Sequence, residues 1–280
     1  MNTNKTIQQI ITSRSSCRTY DPKPIPIEKM AQMMEWIDLA NSEVKSKIRF
    51  TLLSTRSDGK EILVKLGSYG VISGAHTFLV AIIHETEGNP LELGMLFEKV
   101  VLKATELGLG TCWLGGTFNK GDFEKNFQLN PKEYIPIVSP LGIAKDKRSL
   151  LDTAMRFGAG SNNRKSWSEL FFEADDQHPL TQDQAGAYSV PLEMVRIGPS
   201  ASNKQPWRIL KLDNVFHFYL ARNSGYGEMM AYDLQLNDLG IAKCHFELCA
   251  NELGLKGNWI NHDPQKLIPG WEYKESWQII

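Results

Sequence analysis

Apolar positions recur at helical spacing in two segments of the chain. Between residues 93 and 107 they fall three or four positions apart, on one face of a helix that Gly108 can end. Residues 27–39 show the same spacing at their isoleucine and methionine positions. Both segments are therefore predicted to be amphipathic helices that pack one face against a core.

Other segments have the pattern of strands. Residues 77–83, with an unbroken apolar run from residue 78 to residue 83, predict a strand buried on both faces, and residues 49–53 predict another strand. Residues 207–212 and 215–220 flank Asp213 and the asparagine after it, residue types that tolerate the left-handed backbone of a tight turn. A hairpin is expected there. Helices combined with few, partly antiparallel strands predict the α+β class.

An internal repeat divides the chain. Residues 93–114 and 239–260 share nine identities at a constant offset of 146 positions, which chance does not explain over 22 residues. A weaker match relates residues 35–50 to 193–208 at an offset of 158, so the second copy is 12 residues shorter between the two blocks. The chain is therefore predicted to contain two related halves, with the polar stretch 158–164 connecting them.

Composition, charge and cysteine spacing argue against several classes of function. The 280 residues carry 31 basic and 32 acidic side chains with no block of one sign, which argues against a nucleic-acid partner. The longest apolar run is too short to span a membrane, and the amino terminus lacks the pattern of a signal peptide. Four cysteines lie too irregularly for a disulfide framework or a metal site. We expect a cytoplasmic protein with no metal ion and no membrane partner.

Residues 13–20, SRSSCRTY, are the first segment with candidate chemistry. Arg14 and Arg18 lie four positions apart with hydroxyl residues between them. Guanidinium groups bind phosphate through paired donors, so this segment can form a phosphate cradle. The alternative is a solvated helix end.

Two further segments can contact a ligand. Residues 198–207, GPSASNKQPW, offer small hydroxyl and amide side chains to a planar ligand, or form a plain loop before a strand. Residues 108–116, GLGTCWLGG, carry Trp113 where a dinucleotide-binding fingerprint needs its last glycine, so that fingerprint fails. Gly115 and Gly116 can still present backbone N–H groups, although a glycine-rich helix end is commonly only a cap.

Together, the R-x-S-x-R segment, the P-S-x-x-N-x-Q-P-W segment and the glycine-rich helix end resemble the FMN-dependent nitroreductase family. The resemblance implies an α+β fold with mostly antiparallel sheets flanked by helices, and an intertwined homodimer with FMN at the subunit interface. Here the first half, residues 1–172, has the arginines and the glycine-rich end but reads ANSEVKSKIR at residues 40–49. The second half, residues 173–280, has the P-S-x-x-N segment and a degraded glycine-rich end. The chain thus resembles the single-chain, two-copy members, which implies an intertwined pseudo-dimer, one FMN per chain and a monomer.

The resemblance also assigns cofactor contacts. Ser15 stands where many members have a second basic residue, and residues 163–172, NRKSWSELFF, resemble the carboxy-terminal basic segment of the family. Residues 67–70, GSYG, replace polar side chains that members often place before the central strand; a flavin contact and a simple turn both stay open there. The predicted FMN-binding residues are Arg14, Ser15, Ser16, Arg18, Leu114, Gly115, Gly116, Arg164, Lys165, Pro199, Ser200, Ala201, Ser202, Asn203 and Gln205.

The activity implied by the resemblance is hydride transfer from NAD(P)H to flavin N5 and on to a small electron-poor acceptor, such as a nitroaromatic or a quinone. This chemistry demands no acid or base from the protein, because the cofactor carries the electrons. The alternatives are a non-catalytic flavin-binding protein for storage or sensing, a relative that acts in dehalogenation or flavin breakdown, and a scaffold that has lost FMN. Segments around Tyr69, Phe118 and Tyr226 are candidates to cover the acceptor.

Overall fold

The computed structural model describes residues 5–57, 60–61, 70–145, 163–227, 230–265 and 268–280. The contacts divide the chain into two compact units. The N-terminal unit contains Lys5 and the described residues from Ser13 to 145, and the C-terminal unit contains residues 6–12 and the described residues from 163 onward.

The N-terminal unit follows helix α1 (Ile7–Ser13), most of which belongs to the C-terminal unit. Its described elements are α2 (Ile27–Glu43), β1 (Ile48–Ser54), β2 (Arg56–Ser57), β3 (Lys60–Glu61), β4 (Thr77–His84), α3 (Pro90–Glu106), β5 (Gly110–Thr111), α4 (Lys120–Glu124) and β6 (Glu133–Gly142). In these residues an antiparallel sheet has the order β1-β4-β6-β5, and β2 pairs only with β3. Strand β4 lies inside the sheet and is buried on both faces, as its apolar run predicts.

The C-terminal unit contains β7 (Phe171–Glu173), α5 (Gln182–Ala185), α6 (Ser189–Arg196), β8 (Trp207–Leu212), β9 (Val215–Ala221), α7 (Leu234–Glu252), β10 (Gly257–Ile260) and β11 (Trp271–Ile279). Its described strands have the order β10-β11-β9-β8-β7. Strand β7 runs parallel to β8, and the other neighbours are antiparallel. The hairpin prediction is confirmed, since Leu212 pairs with Val215 across a turn in which Asp213 has φ 49°.

The two units repeat one order of elements. The series α2-β1-β4-α3-β5-β6 has its counterpart in α6-β8-β9-α7-β10-β11, and the two sheets order their equivalent strands in the same way. Strand β7 is an addition at one edge of the C-terminal sheet. The sequence divides the halves at residue 172, whereas in the structure this strand spans that position and pairs with β8. Buried Phe171 explains the difference, because its side chain packs in the C-terminal unit.

The long helices of the two units end in the same way. Gly108 and Gly254 both have φ +71°, and the residue after each donates its N–H to a carbonyl five positions back, Leu109 to Ala104 at 2.8 Å and Leu255 to Ala250 at 2.9 Å. This is a left-handed glycine cap, so the predicted helix end at Gly108 is confirmed. None of the described helices is long and apolar enough to cross a membrane.

Candidate functional site

The predicted site residues fall into two sets, one in each unit. The N-terminal unit carries the arginine segment, residues 14–18, and the glycine segment, residues 114–116. The C-terminal unit carries the cofactor loop, residues 199–205, and the basic segment, residues 163–165. Of the segment 67–70, where a flavin contact and a simple turn both stay open, residues 67–69 lie outside the described residues. The same holds for Tyr69 as a candidate to cover the acceptor, and for the connecting stretch from residue 158 to residue 162.

Backbone pairing holds the arginine segment against the N-terminal sheet. The N–H of Cys17 donates to the carbonyl of Thr111 on β5 at 2.8 Å, and the N–H of Ser73 donates to the carbonyl of Arg18 at 2.9 Å. The segment approaches β5 closely because Gly110 has no side chain. A Cβ there would lie 2.8 Å from the Cβ of Cys17.

The side chains of this segment offer cationic donors. Arg14 and Arg18 are half-buried, Ser15 is exposed and Ser16 is half-buried. Nη1 of Arg14 is buried and has no hydrogen-bond acceptor within the described part of the chain. A buried guanidinium N–H that lacks an acceptor is costly, and a phosphate oxygen is the kind of acceptor it would satisfy. The segment therefore fits the phosphate group of FMN.

The glycine segment begins inside the sheet and then leaves it. Leu114 is buried, and both its N–H and its carbonyl bond to Val138, at 2.9 and 3.0 Å. Its N–H is therefore used within the fold. Gly115 is half-buried and Gly116 is exposed, and no hydrogen bond to another described residue engages either N–H. These two glycines are the residues of the segment that can donate to a flavin.

The cofactor loop has an unusual backbone. Ser202, Asn203 and Gln205 have φ values of 47°, 55° and 46°, in the left-handed region that side chains other than glycine rarely adopt. Strain of this kind persists where surrounding contacts enforce it, and it is typical of ligand-binding segments. Buried Gln205 supplies part of that enforcement, since its N–H donates to Oγ of Ser200 at 2.9 Å and its Nε2 donates to the carbonyl of Arg196 at 2.7 Å.

The basic segment binds directly to this loop. The backbone N–H of Lys165 donates to Oε1 of Gln205 at 2.6 Å, and Nδ2 of Asn203 donates to the carbonyl of Asn163 at 2.9 Å. The guanidinium of Arg164 donates to Oδ1 of Asn203. The structure thus brings together two parts of the predicted site that are about 40 residues apart in the sequence.

Positive charge collects at this junction. Burial, together with the cations of Arg208 and Lys204, lowers the pKa of Lys165 to about 8, although Glu169 opposes the shift. Within the described ranges no carboxylate forms an ion pair with any of these three cations. The guanidinium of Arg208 donates instead to the carbonyls of Gln205 and Trp207, at 3.2 and 2.6 Å. Burial also lowers the pKa of Arg208.

The sequence analysis missed Lys204 and Arg208. The signal was present, because both lie within or directly beside the GPSASNKQPW segment, but only folding places them near Lys165. Lys165 and Arg208 are half-buried and Lys204 is exposed. A cluster of cations that form no ion pair within the described residues fits an anionic ligand such as a phosphate monoester.

Of the residues predicted to cover an acceptor, Tyr226 is at the cofactor loop. Its hydroxyl lies 2.9 Å from Oγ of Ser202, and the ammonium of Lys204 lies 5.6 Å from its ring centroid. Phe118 is instead buried in the N-terminal core against Phe123, so its side chain cannot cover a substrate. A cavity of about 310 Å³ adjoins Tyr226; its lining residues are Arg222, Asn223, Tyr226, Gly227, Met230, Ala231, Tyr232, Asp233, Leu234 and Gln235.

Comparisons with known proteins agree with this architecture. The family model described as "Putative TM nitroreductase" matches residues 6–250, and no curated protein matches the chain. A "putative nitroreductase" of Thermotoga maritima has a similar structure, with a TM-score of 0.59 and 16% identity over 99% of this chain and 94% of that chain. This likeness shows the fold.

Two further structures match about half of this chain. An FMN-bound nitroreductase of Bacteroides fragilis has a TM-score of 0.39 and 19% identity over 52% of this chain and 92% of that chain. An FMN-dependent nitroreductase of Clostridium difficile has a TM-score of 0.38 and 16% identity over 50% of this chain and 88% of that chain.

Proposed function

Because this chain belongs to the TM nitroreductase family, we propose that it is an FMN-dependent oxidoreductase that passes hydride from NAD(P)H to an electron-poor small molecule, such as a nitroaromatic or a quinone. FMN, when bound, supplies the hydride carrier at N5, so the protein has to hold and orient the flavin rather than supply an acid or a base.

The observation that carries the proposal is a set of partly buried cationic donors that form no ion pair within the described residues. Nη1 of Arg14 is buried without an acceptor, and Lys165 and Arg208 are half-buried without ion pairs, within the described residues. Folding desolvates these groups at a cost that a bound phosphate dianion would offset. The resemblance to the FMN-dependent nitroreductases adds Arg18 and Arg164, and we assign Arg14, Arg18, Arg164 and Lys165 to the phosphate of FMN.

The remaining assignments concern the flavin ring. The N–H groups of Gly115 and Gly116 would donate to its polar edge, where donors stabilise the negative charge that reduction adds. Pro199, Ser200, Ala201, Ser202, Asn203 and Gln205 would contact the ring system, and Ser16 would contact the ribityl chain. Tyr226 and the adjoining cavity would contact the acceptor.

The proposal includes the number of FMN molecules per chain, the oligomeric state and the cellular location. We assign one FMN per chain, because the arginine segment and an intact P-S-x-x-N segment each occur once. With the two related units already in one chain, we assign a monomer with an internal pseudo-dimer. We also assign the protein to the cytoplasm, as the irregular spacing of its four cysteines predicts.

The first experiment tests the cofactor and the reductant together. The visible spectrum of the FMN-loaded protein is recorded anaerobically before and after NADPH or NADH is added. Flavin bands that bleach within seconds establish the reductase. Bands that persist with both reductants contradict it and favour flavin storage or sensing, and failure to bind FMN refutes the cofactor assignment.

A variant pair tests the site. Arg14→Ala combined with Arg18→Ala should weaken FMN binding strongly and riboflavin binding little, because riboflavin has no phosphate. Lys23→Ala is the matched control, since that lysine is also in the N-terminal unit and its side chain is 76% exposed. Equal FMN affinity in the double variant and the control would contradict the assignment of the two arginines.

A further inference from the structure

A buried carboxyl group contacts the cofactor loop from the long helix of the C-terminal unit. Oδ2 of Asp238, on α7, accepts the backbone N–H of Ala201 at 2.9 Å. Asp238 is only 3% exposed, and burial raises the pKa of its carboxyl group well above the ordinary range. Burying a carboxyl group is costly unless hydrogen bonds compensate, so the fold needs the donor that the loop provides.

This contact meets the loop at the start of its strained stretch. Ser202, Asn203 and Gln205, which follow Ala201, have left-handed backbone, and a free loop would relax to commoner conformations. Gln205 fixes the far end of the stretch through its bonds to Ser200 and Arg196. The bond from Ala201 to Asp238 fixes the near end.

The N-terminal unit contains an equivalent contact. Glu92 on α3 corresponds to Asp238 at the repeat offset of 146. Its two carboxylate oxygens accept the N–H groups of Lys45 and Ser46, at 2.6 and 2.9 Å, in the loop between α2 and β1. The cofactor loop lies between the equivalent elements, α6 and β8. In each unit, therefore, an acid in the first turns of the long helix holds the loop that precedes the first repeated strand.

We propose that Asp238 is a positioning residue for the flavin: by accepting the Ala201 N–H it holds residues 199–205 in the conformation that binds FMN. The role rests on the proposed function, because that function assigns the loop to the flavin. Glu92 also holds a loop, but that loop lacks the P-S-x-x-N segment, so no role in flavin binding is assigned to Glu92.

The chain offers matched variants for the test. Asp238→Ala removes the acceptor, Asp238→Asn keeps an oxygen acceptor in a side chain that does not ionise, and Glu92→Ala removes the equivalent contact in the other unit. FMN affinity is measured by titrating apoprotein with FMN and following flavin fluorescence, with the melting temperature of each apoprotein recorded in parallel. Hydrogen exchange of the peptides that cover residues 199–205 and 44–47 reports whether each loop is held.

We expect Asp238→Ala to weaken FMN binding roughly tenfold to a hundredfold, because the binding-competent loop becomes a minor conformation. Asp238→Asn should restore affinity to within about threefold of the parent, since a neutral oxygen can still accept the N–H. Glu92→Ala should lower the melting temperature and speed exchange at residues 44–47 while FMN affinity changes less than about threefold.

Two results would overturn the proposal. One is an Asp238→Ala protein with the parent FMN affinity; the other is an equal loss of affinity in Asp238→Ala and Glu92→Ala, which would indicate general destabilisation. A parent chain that binds no FMN would refute the proposed function and with it the flavin role of Asp238. Exchange at residues 199–205 would then still decide whether Asp238 holds the loop, and unchanged exchange in Asp238→Ala would refute that too.

Discussion

The pKa of Lys165 predicts how FMN affinity depends on pH. In the free protein this pKa is about 8, because the ammonium group is half-buried near Arg208 and Lys204. A phosphate dianion beside the ammonium would favour its charged form and return the pKa toward its ordinary value of about 10.4. Binding above pH 8 then takes up a proton, so FMN affinity must fall as the pH rises.

The size of the effect follows from the two pKa values. Between pH 7 and pH 9 the fraction of free protein with a charged Lys165 falls from roughly nine-tenths to one-tenth, while the complex stays almost fully charged. The dissociation constant for FMN should therefore rise roughly tenfold over that interval. The second pKa of a phosphate monoester is about 6, so the charge of the FMN phosphate stays nearly constant between pH 7 and pH 9.

The assay is a fluorescence titration of apoprotein with FMN at several pH values between 7 and 9. Riboflavin, titrated in parallel, should show no matching trend because it has no phosphate. Lys165→Arg keeps its charge throughout and should bind FMN with little pH dependence, whereas Lys165→Gln should bind weakly at every pH. A flat profile for the parent protein, or the parent slope in Lys165→Arg, would refute the assignment of Lys165 to the phosphate.

Three further predictions concern stoichiometry and packing. Fully loaded protein should contain one FMN per chain, and a flavin-to-protein ratio near two would contradict a single retained site. Glu98→Ala should cost about 1–3 kcal/mol in urea unfolding, because fully buried Glu98 accepts Nε1–H of Trp113 at 2.8 Å. Glu98→Gln keeps an acceptor, and Glu247→Ala should cost less, because Glu247 is only half-buried where it accepts Nε1–H of Trp259 at 2.6 Å. Equal losses for the two alanine variants would argue against burial as the cause. Gly257→Ala should destabilise by about 1–3 kcal/mol or more, because its Cβ would lie 2.3 Å from Nε1 of Trp277, whereas Gly254→Asn should be nearly neutral, since asparagine tolerates that left-handed position; a larger loss for Gly254→Asn would be inconsistent with this packing.

Local sequence pattern was enough for much of the fold. The apolar run at residues 78–83 predicted a strand buried on both faces, and the strand lies inside its sheet. Helix α2 was predicted to residue 39, but it continues to Glu43 because nothing in the sequence stops it earlier. The hairpin at Asp213 was predictable because its turn residues and its two strands are adjacent.

Pairing between distant segments was not predictable in this way. Strand β7 joins β8 across more than 30 intervening residues, and short, parallel pairing leaves no periodic signal that would place Phe171 in the second half. The pairing of Leu114 with Val138 is likewise a contact between distant segments. It uses the N–H of Leu114, which is therefore not available to the predicted site. The motif resemblance located these residues, but it did not show which of their polar atoms the fold already uses.

The backbone of the cofactor loop was also beyond the sequence. Serine, asparagine and glutamine do not require a positive φ, so the left-handed residues result from contacts with other elements rather than from local preference. The charge cluster at Lys165 likewise depends on a distant segment, because Lys204 and Arg208 approach it only after the basic segment binds to the loop. The features of the candidate site that the sequence did not predict therefore lie where tertiary contacts override local conformational preference.

The repeat separates what the fold requires from what the ligand requires. Both units keep the glycine cap of the long helix, the same strand order and an acid that holds the loop before the first repeated strand. Each unit must bury its own core, so these features are needed twice. The P-S-x-x-N segment and the arginine segment each occur once, in different halves. Two FMN sites in one chain would need both segments in both halves, whereas one site needs each segment only once. The measured ratio of FMN to protein therefore tests whether the second unit was kept for a single site rather than for a site of its own.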